Sequence, residues 1–95
     1  MLIERGLRAG DVISMKLING DELITRFEKE DDTTITVSKP LALTMGSQGL
    51  GMIPWMFLGG KDEFTINKSQ VFVYVISKKE AADQYMTGTT GIALA

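Results

Sequence analysis

An Asn-Gly pair at positions 19 and 20 stands directly behind a run of alternating residues, and this juxtaposition constrains the fold more than any other feature of the chain. Ile13, Met15 and Leu17 alternate with Ser14 and Lys16, at the period of two that turns one face of a strand inward. Asn-Gly supplies the two positive-φ positions of a tight hairpin turn, so the chain must fold straight back. The returning strand is expected over about 22–29, with Leu23, Thr25 and Phe27 on one face and Ile24 on the other.

The β pattern continues. Glu30, Asp31 and Asp32 form an acidic break that is costly to bury, and 33–38 then resumes alternation, with Thr34 and Thr36 opposite Ile35 and Val37. Pro40 lacks a ladder donor, so 41–45 reads as an edge or bulged continuation. Residues 47–51 read as a hairpin tip, 52–58 as a returning apolar strand interrupted at Pro54, and 59–62 as a bend. A strand at 64–66, a short turn at 67–69 and a β-branched and aromatic strand at 71–76 complete a run of strands in meander order. Five such strands suffice to close a small, strongly bent antiparallel barrel over about 10–76.

Ser77 with Glu80 three residues on has capping-box spacing, which predicts a short C-terminal helix over 78–86. Gly88, Thr89, Thr90 and Gly91 are expected to end it. The tail, 87–95, closes on an apolar stretch that is either frayed or docked on a neighbour.

Ninety-five residues form one domain, 1–95, in this reading. A domain near this size buries only about two thirds of its unfolded surface, so association offers burial that the single chain lacks. The chain has no Cys and no His. It owes nothing to disulfides or thiolate metal sites, and the commonest general base and metal ligand are both missing. These absences predict a non-enzyme without catalytic residues, metal or cofactor. Twelve acidic against ten basic residues give a net charge of −2, which argues against bulk attraction to nucleic acid or to anionic membrane. The N-terminal segment has no apolar h-region, so a cytoplasmic location is expected. From Pro40 to Gly60 twenty-one residues carry no charge, but their glycines and prolines break the run and argue against a membrane span.

The clustered carboxylates Glu28, Glu30, Asp31 and Asp32 lack the spacing of a calcium loop and read as a solvated turn. The glycines at 46, 49 and 51 lack the Lys-[Ser/Thr] ending of a phosphate loop. Met52, Trp55, Met56 and Phe57 have two readings, core packing or a partner-contact surface, because a domain this small cannot enclose all eleven apolar side chains between Leu41 and Leu58. Lys68, between Asn67 and Ser69, could grip a phosphate or a base edge, or lie in a solvated turn.

The order of elements over about 10–76 resembles the Sm-like fold. The resemblance rests on Val12-Ile13-Ser14-Met15-Lys16-Leu17-Ile18-Asn19-Gly20, on the apolar second strand to Phe27, on Asp31 or Asp32 before Thr34-Ile35-Thr36-Val37, and on Phe64 to Val73. It is closest to divergent Sm-like proteins of phage or bacterial type. The resemblance implies a five-stranded barrel whose fourth strand pairs with the fifth strand of the next subunit, closing a homo-oligomeric ring of about five to seven copies. It further implies RNA binding in the two strand-connecting loops, with Asp31, Asp32, Thr34, Asn67, Lys68 and Ser69 as site residues. The family's Asn is Thr34 here and its Arg-Gly is replaced by Asn67 and Lys68, so uridine recognition of the family's kind does not carry over. The long apolar insertion suggests the rival expectation, a structural or adaptor ring that grips a protein partner through an extended hairpin.

Overall fold

The computed structural model describes residues 6–47, 49–56 and 59–89. Six strands and one helix follow in order: β1 (Val12–Leu17), β2 (Glu22–Glu30), β3 (Thr34–Gly46), β4 (Gly49–Pro54), β5 (Glu63–Asn67), β6 (Val71–Ile76) and α1 (Lys79–Thr89), with a single 3-10 turn (Lys68–Gln70) between β5 and β6. The fold is mostly β with one short C-terminal helix. All strand pairs are antiparallel.

The Asn-Gly hairpin forms as the alternation requires. Gly20 takes φ 98°, Leu17 N–H donates to the Asp21 carbonyl, and Ile13 stands opposite Thr25 with Met15 opposite Leu23. Ile13, Met15, Leu17, Leu23, Phe27, Ile35, Val37 and Ile66 form the core, each on the inward face of its strand.

β3 joins the expected 33–38 segment to the expected bulged continuation over 41–45 in one strand. Ile24 pairs with Leu41 and Arg26 with Ser38, so one residue of β2 faces two of β3, Lys39 and Pro40. Lys39 is forced to φ 49°. The bulge divides β3 in two: 34–38 pairs with β5, and 41–46 pairs with β4. The turn expected over 47–51 is shorter, because Gly49 and Gly51 belong to β4 and pair with Gly46 and Thr44.

Pure meander order is not what forms. The path runs β4-β3-β2-β1-β6, with β5 on the far half of β3. β5 and β6 therefore attach at opposite sides of the β3-β2-β1 ladder, although only three residues join them. Strands at about 4.8 Å spacing would separate them by about 19 Å in a flat sheet, so the sheet is strongly curled. The hydrogen-bonded ladder is not closed among the described residues.

Helix α1 covers the outer face of the sheet and runs three residues beyond the expected end, through Gly88. Its anchor is Tyr85, fully buried. The Tyr85 hydroxyl donates to the Ser38 carbonyl (3.1 Å) and the Lys39 carbonyl (2.8 Å), holding the bulge from outside, while Thr25 Oγ1 donates to the same Ser38 carbonyl at 2.7 Å. The Ser77 hydroxyl, read as a helix cap, instead lies 2.8 Å from Ser14 Oγ and ties the helix entrance to β1.

Candidate functional site

The β2–β3 turn and the 3-10 turn meet at one end of the sheet. Thr34 stands opposite Asn67, and Lys68 N–H donates to the Thr33 carbonyl at 2.8 Å. The fold thus brings Asp31, Asp32, Thr34, Asn67, Lys68 and Ser69 onto one rim. Their chemistry differs from one to the next. Asp31 Oδ1 is saturated by Thr33 N–H (2.9 Å), Thr34 N–H (2.7 Å) and the Thr34 hydroxyl (3.0 Å). Those donors, Thr33 N–H first, hold its carboxyl below the usual range. Through that oxygen it forms the turn, and the residue itself stays exposed.

Lys68 is engaged as well. Its Nζ lies 2.8 Å from Glu30 Oε1, and the Tyr74 hydroxyl donates to the same oxygen at 2.5 Å. The hydrogen bond from Lys68, then that from Tyr74, lowers the Glu30 pKa. The Glu30 bond raises Lys68 and also raises Tyr74. Glu30 ends β2 rather than lying in a free acidic break. The rim's single cation is therefore neutralised inside the subunit, and Asp32, Asn67 and Ser69 remain exposed.

Of the four residues expected to contact a partner, the three described ones differ in exposure. Trp55 is partly buried against the core and packs edge-to-face on Phe64 with ring centroids 6.0 Å apart, the core-packing side of its two readings. Met52 is half-buried, Met56 is exposed, and Phe57 lies outside the described residues.

An exposed apolar surface lies elsewhere. The core-facing side of β6 carries Val71, Tyr74 and Ile76, opposite Leu17, Met15 and Ile13. The other side carries Val73 and Val75, and Phe72 is the unpaired residue of a bulge between the partners of Leu17 and Lys16. Phe72 is 77% exposed and Val75 56%. β6 also ends the sheet, with its outer edge unpaired by any described strand. The second such surface is the hairpin of β3 and β4, where Leu41, Leu43, Met45, Leu50, Met52 and Pro54 share the face on which α1 packs. Met45 is 79% exposed at its tip. The signal for β6 was present in the sequence: six successive apolar or aromatic residues, Val-Phe-Val-Tyr-Val-Ile, are the pattern of a strand buried on both faces.

No helix among the described residues is long and apolar enough to cross a membrane, and no group of three or more potential metal ligands occurs among them. No protein-family model matches the chain, and no curated protein matches it.

Proposed function

We propose that the chain is a self-assembling subunit of the Sm-like kind, whose copies join edge to edge into a homo-oligomeric ring around small, bent barrels. The observation that carries this reading is β6, a strand apolar on both faces that ends the sheet with an open edge and leaves Phe72 and Val75 in water. An open, apolar edge strand templates pairing with another chain unless something covers it. A second copy can supply a cover, because β4 and β5 offer edges of similar length that no described strand pairs. The curl imposed by the three-residue connection between β5 and β6 supports the barrel. One edge receiving another of a different kind is a heterologous contact, which closes into a ring when the rotation per copy divides a full turn.

Light scattering and native mass spectrometry test this directly. The wild-type chain should run as one closed oligomer, and Val75→Lys, at a position exposed in the subunit, should give a folded monomer. A wild-type monomer at tens of micromolar would refute the proposal.

RNA binding at the rim is a second reading, supported by the convergence of Thr34, Asn67 and Lys68. The Glu30–Lys68 pair opposes it, since phosphate must compete with a carboxylate already in place. Labelled oligo-U and oligo-A, titrated at low and physiological salt, should bind with steep salt dependence and lose affinity in Lys68→Ala. No binding at either salt removes this reading and leaves a structural or adaptor ring.

A further inference from the structure

Two adjoining hollows lie between the C-terminal turn of α1 and the base of the β3–β4 hairpin. The larger, about 670 Å³, is lined by Leu41, Met52, Pro54, Gln84, Thr87 and Gly88. The smaller, about 280 Å³, shares Leu41, Pro54 and Gly88 with it and adds Phe64, Lys39 and Lys61. Together they make one groove, apolar along its length and cationic at one end. Lys61 has no ion pair among the described residues, and Lys39 Nζ has one long contact, 3.4 Å to the Thr89 carbonyl. Asp62 also stands on this rim and receives Lys39 N–H on its main-chain carbonyl at 2.7 Å. Two ammonium groups against one carboxylate leave the end positive.

Lys39 is the only non-glycine residue with positive φ among the described residues, at 49°. Glycine would take that conformation freely, and a lysine held there is a reason to look for a role. We infer that the groove binds a long-chain monocarboxylate, with its methylene chain along Leu41, Met52 and Pro54 and its carboxylate between Lys39 and Lys61. Size and composition fit this class: small-molecule sites are concave, mostly apolar, about 300–1,000 Å³ in volume, and oriented by a few polar groups. The rim charge selects the anion, and the uncharged hairpin accepts the chain.

The experiment is calorimetric titration of the full chain with octanoate, decanoate and dodecanoate below their micellar range, with dodecanol as the uncharged control. Binding should be saturable at one site per chain and should tighten about fourfold per methylene, the factor that about 0.8 kcal/mol per buried CH₂ gives. Dodecanol should bind at least about tenfold more weakly than dodecanoate. Lys39→Gly separates function from folding, because it keeps the main-chain N–H and carbonyl while relieving the strained φ. Its thermal midpoint should hold or rise while dodecanoate affinity falls about tenfold or more, and Lys61→Ala should fall in the same direction. Gly88→Leu, at a helical position where a Cβ meets nothing within 4 Å, should plug the groove and abolish binding. Absence of saturable binding, equal affinity for dodecanol, or an unchanged affinity in Lys39→Gly overturns the inference. So does dodecanoate binding that appears only in the dissociated monomer, which would make a second copy the groove's occupant. None of these results depends on whether the oligomer is a ring.

Discussion

Replacing Tyr85 by Phe removes one oxygen from a fully buried side chain and leaves the ring that packs α1 onto the sheet. The lost hydroxyl serves two carbonyls at the β3 bulge. Ser38 keeps its bond from Thr25 Oγ1, but Lys39 loses the donor at 2.8 Å. A part-buried acceptor left without its donor costs about 1 kcal/mol, which for a domain of this size lowers the midpoint by about 4–8 °C. The pH dependence adds a second signature. Burial pushes the Tyr85 hydroxyl up to about 12, against about 10 in the unfolded chain. A folded pKa above the unfolded value means a contribution fully present below pH 10 and lost as pH rises towards 12. Two units correspond to a loss on the order of 3 kcal/mol for the wild type, and Phe has no proton to lose. The wild type should therefore be the more stable at pH 7, and the two should become equal near about pH 11. Urea unfolding followed by far-UV circular dichroism at fixed protein concentration measures both. Equal stability at pH 7, or a difference that does not narrow above pH 10, would refute the account of Tyr85 as the staple of the bulge.

Acid should weaken the rim. Glu30 and Asp31 both have lowered folded pKa values, so their contribution is present above the ordinary carboxylate range and lost as pH falls below it; Glu30→Gln and Asp31→Asn should each flatten the stability-against-pH curve below about pH 4.5. Gly20→Ala places a Cβ at φ 98° and should cost about 1–2 kcal/mol by chemical denaturation, although nothing lies within 4 Å of that atom. Val37→Ala, in the core and fully buried, should cost about 2–3 kcal/mol. Met45→Ser, at a 79% exposed hairpin tip, should leave subunit stability within about 0.5 kcal/mol.

The parts of the fold that local chemistry determines were legible in the sequence. The Asn-Gly hairpin, β6 and the presence of a helix after Ser77 rest on neighbours within a few residues. β3 was legible in part. Pro40, which cannot donate to a ladder, marked 41–45 as an edge or bulged continuation, and the bulge is there; what no local rule reports is Tyr85, forty-six residues away from Lys39, whose hydroxyl fixes the Ser38 and Lys39 carbonyls that precede the missing donor. The two turns of the rim meet because β3 pairs with β5. The charge state there could not be read from the sequence, because the Glu30–Tyr74 bond spans forty-four residues and no spacing rule reports it. Trp55 was ambiguous for a related reason: an uncharged run gives no polar side from which to tell inside from outside, and only the fold places it on Phe64.

The groove and the open edges constrain one another. Val73 and Val75 stand opposite Lys16 and Ser14 on the face of β1 away from the core, the face on which Leu43 and Met52 lie in the hairpin and which carries α1. A partner subunit's β6 strand received at the β4 edge would lie beside Met52 and, with its valines on that face, lengthen the floor of the groove. Carboxylate binding and assembly would then be linked, and by reciprocity dodecanoate must tighten assembly by the same factor by which assembly tightens dodecanoate. A β6 strand received at the β5 edge leaves that floor unchanged, and the two equilibria stay independent. Dodecanoate affinity measured above and below the concentration at which the oligomer dissociates decides between the edges: a shift assigns the contact to β4, and a constant value assigns it to β5.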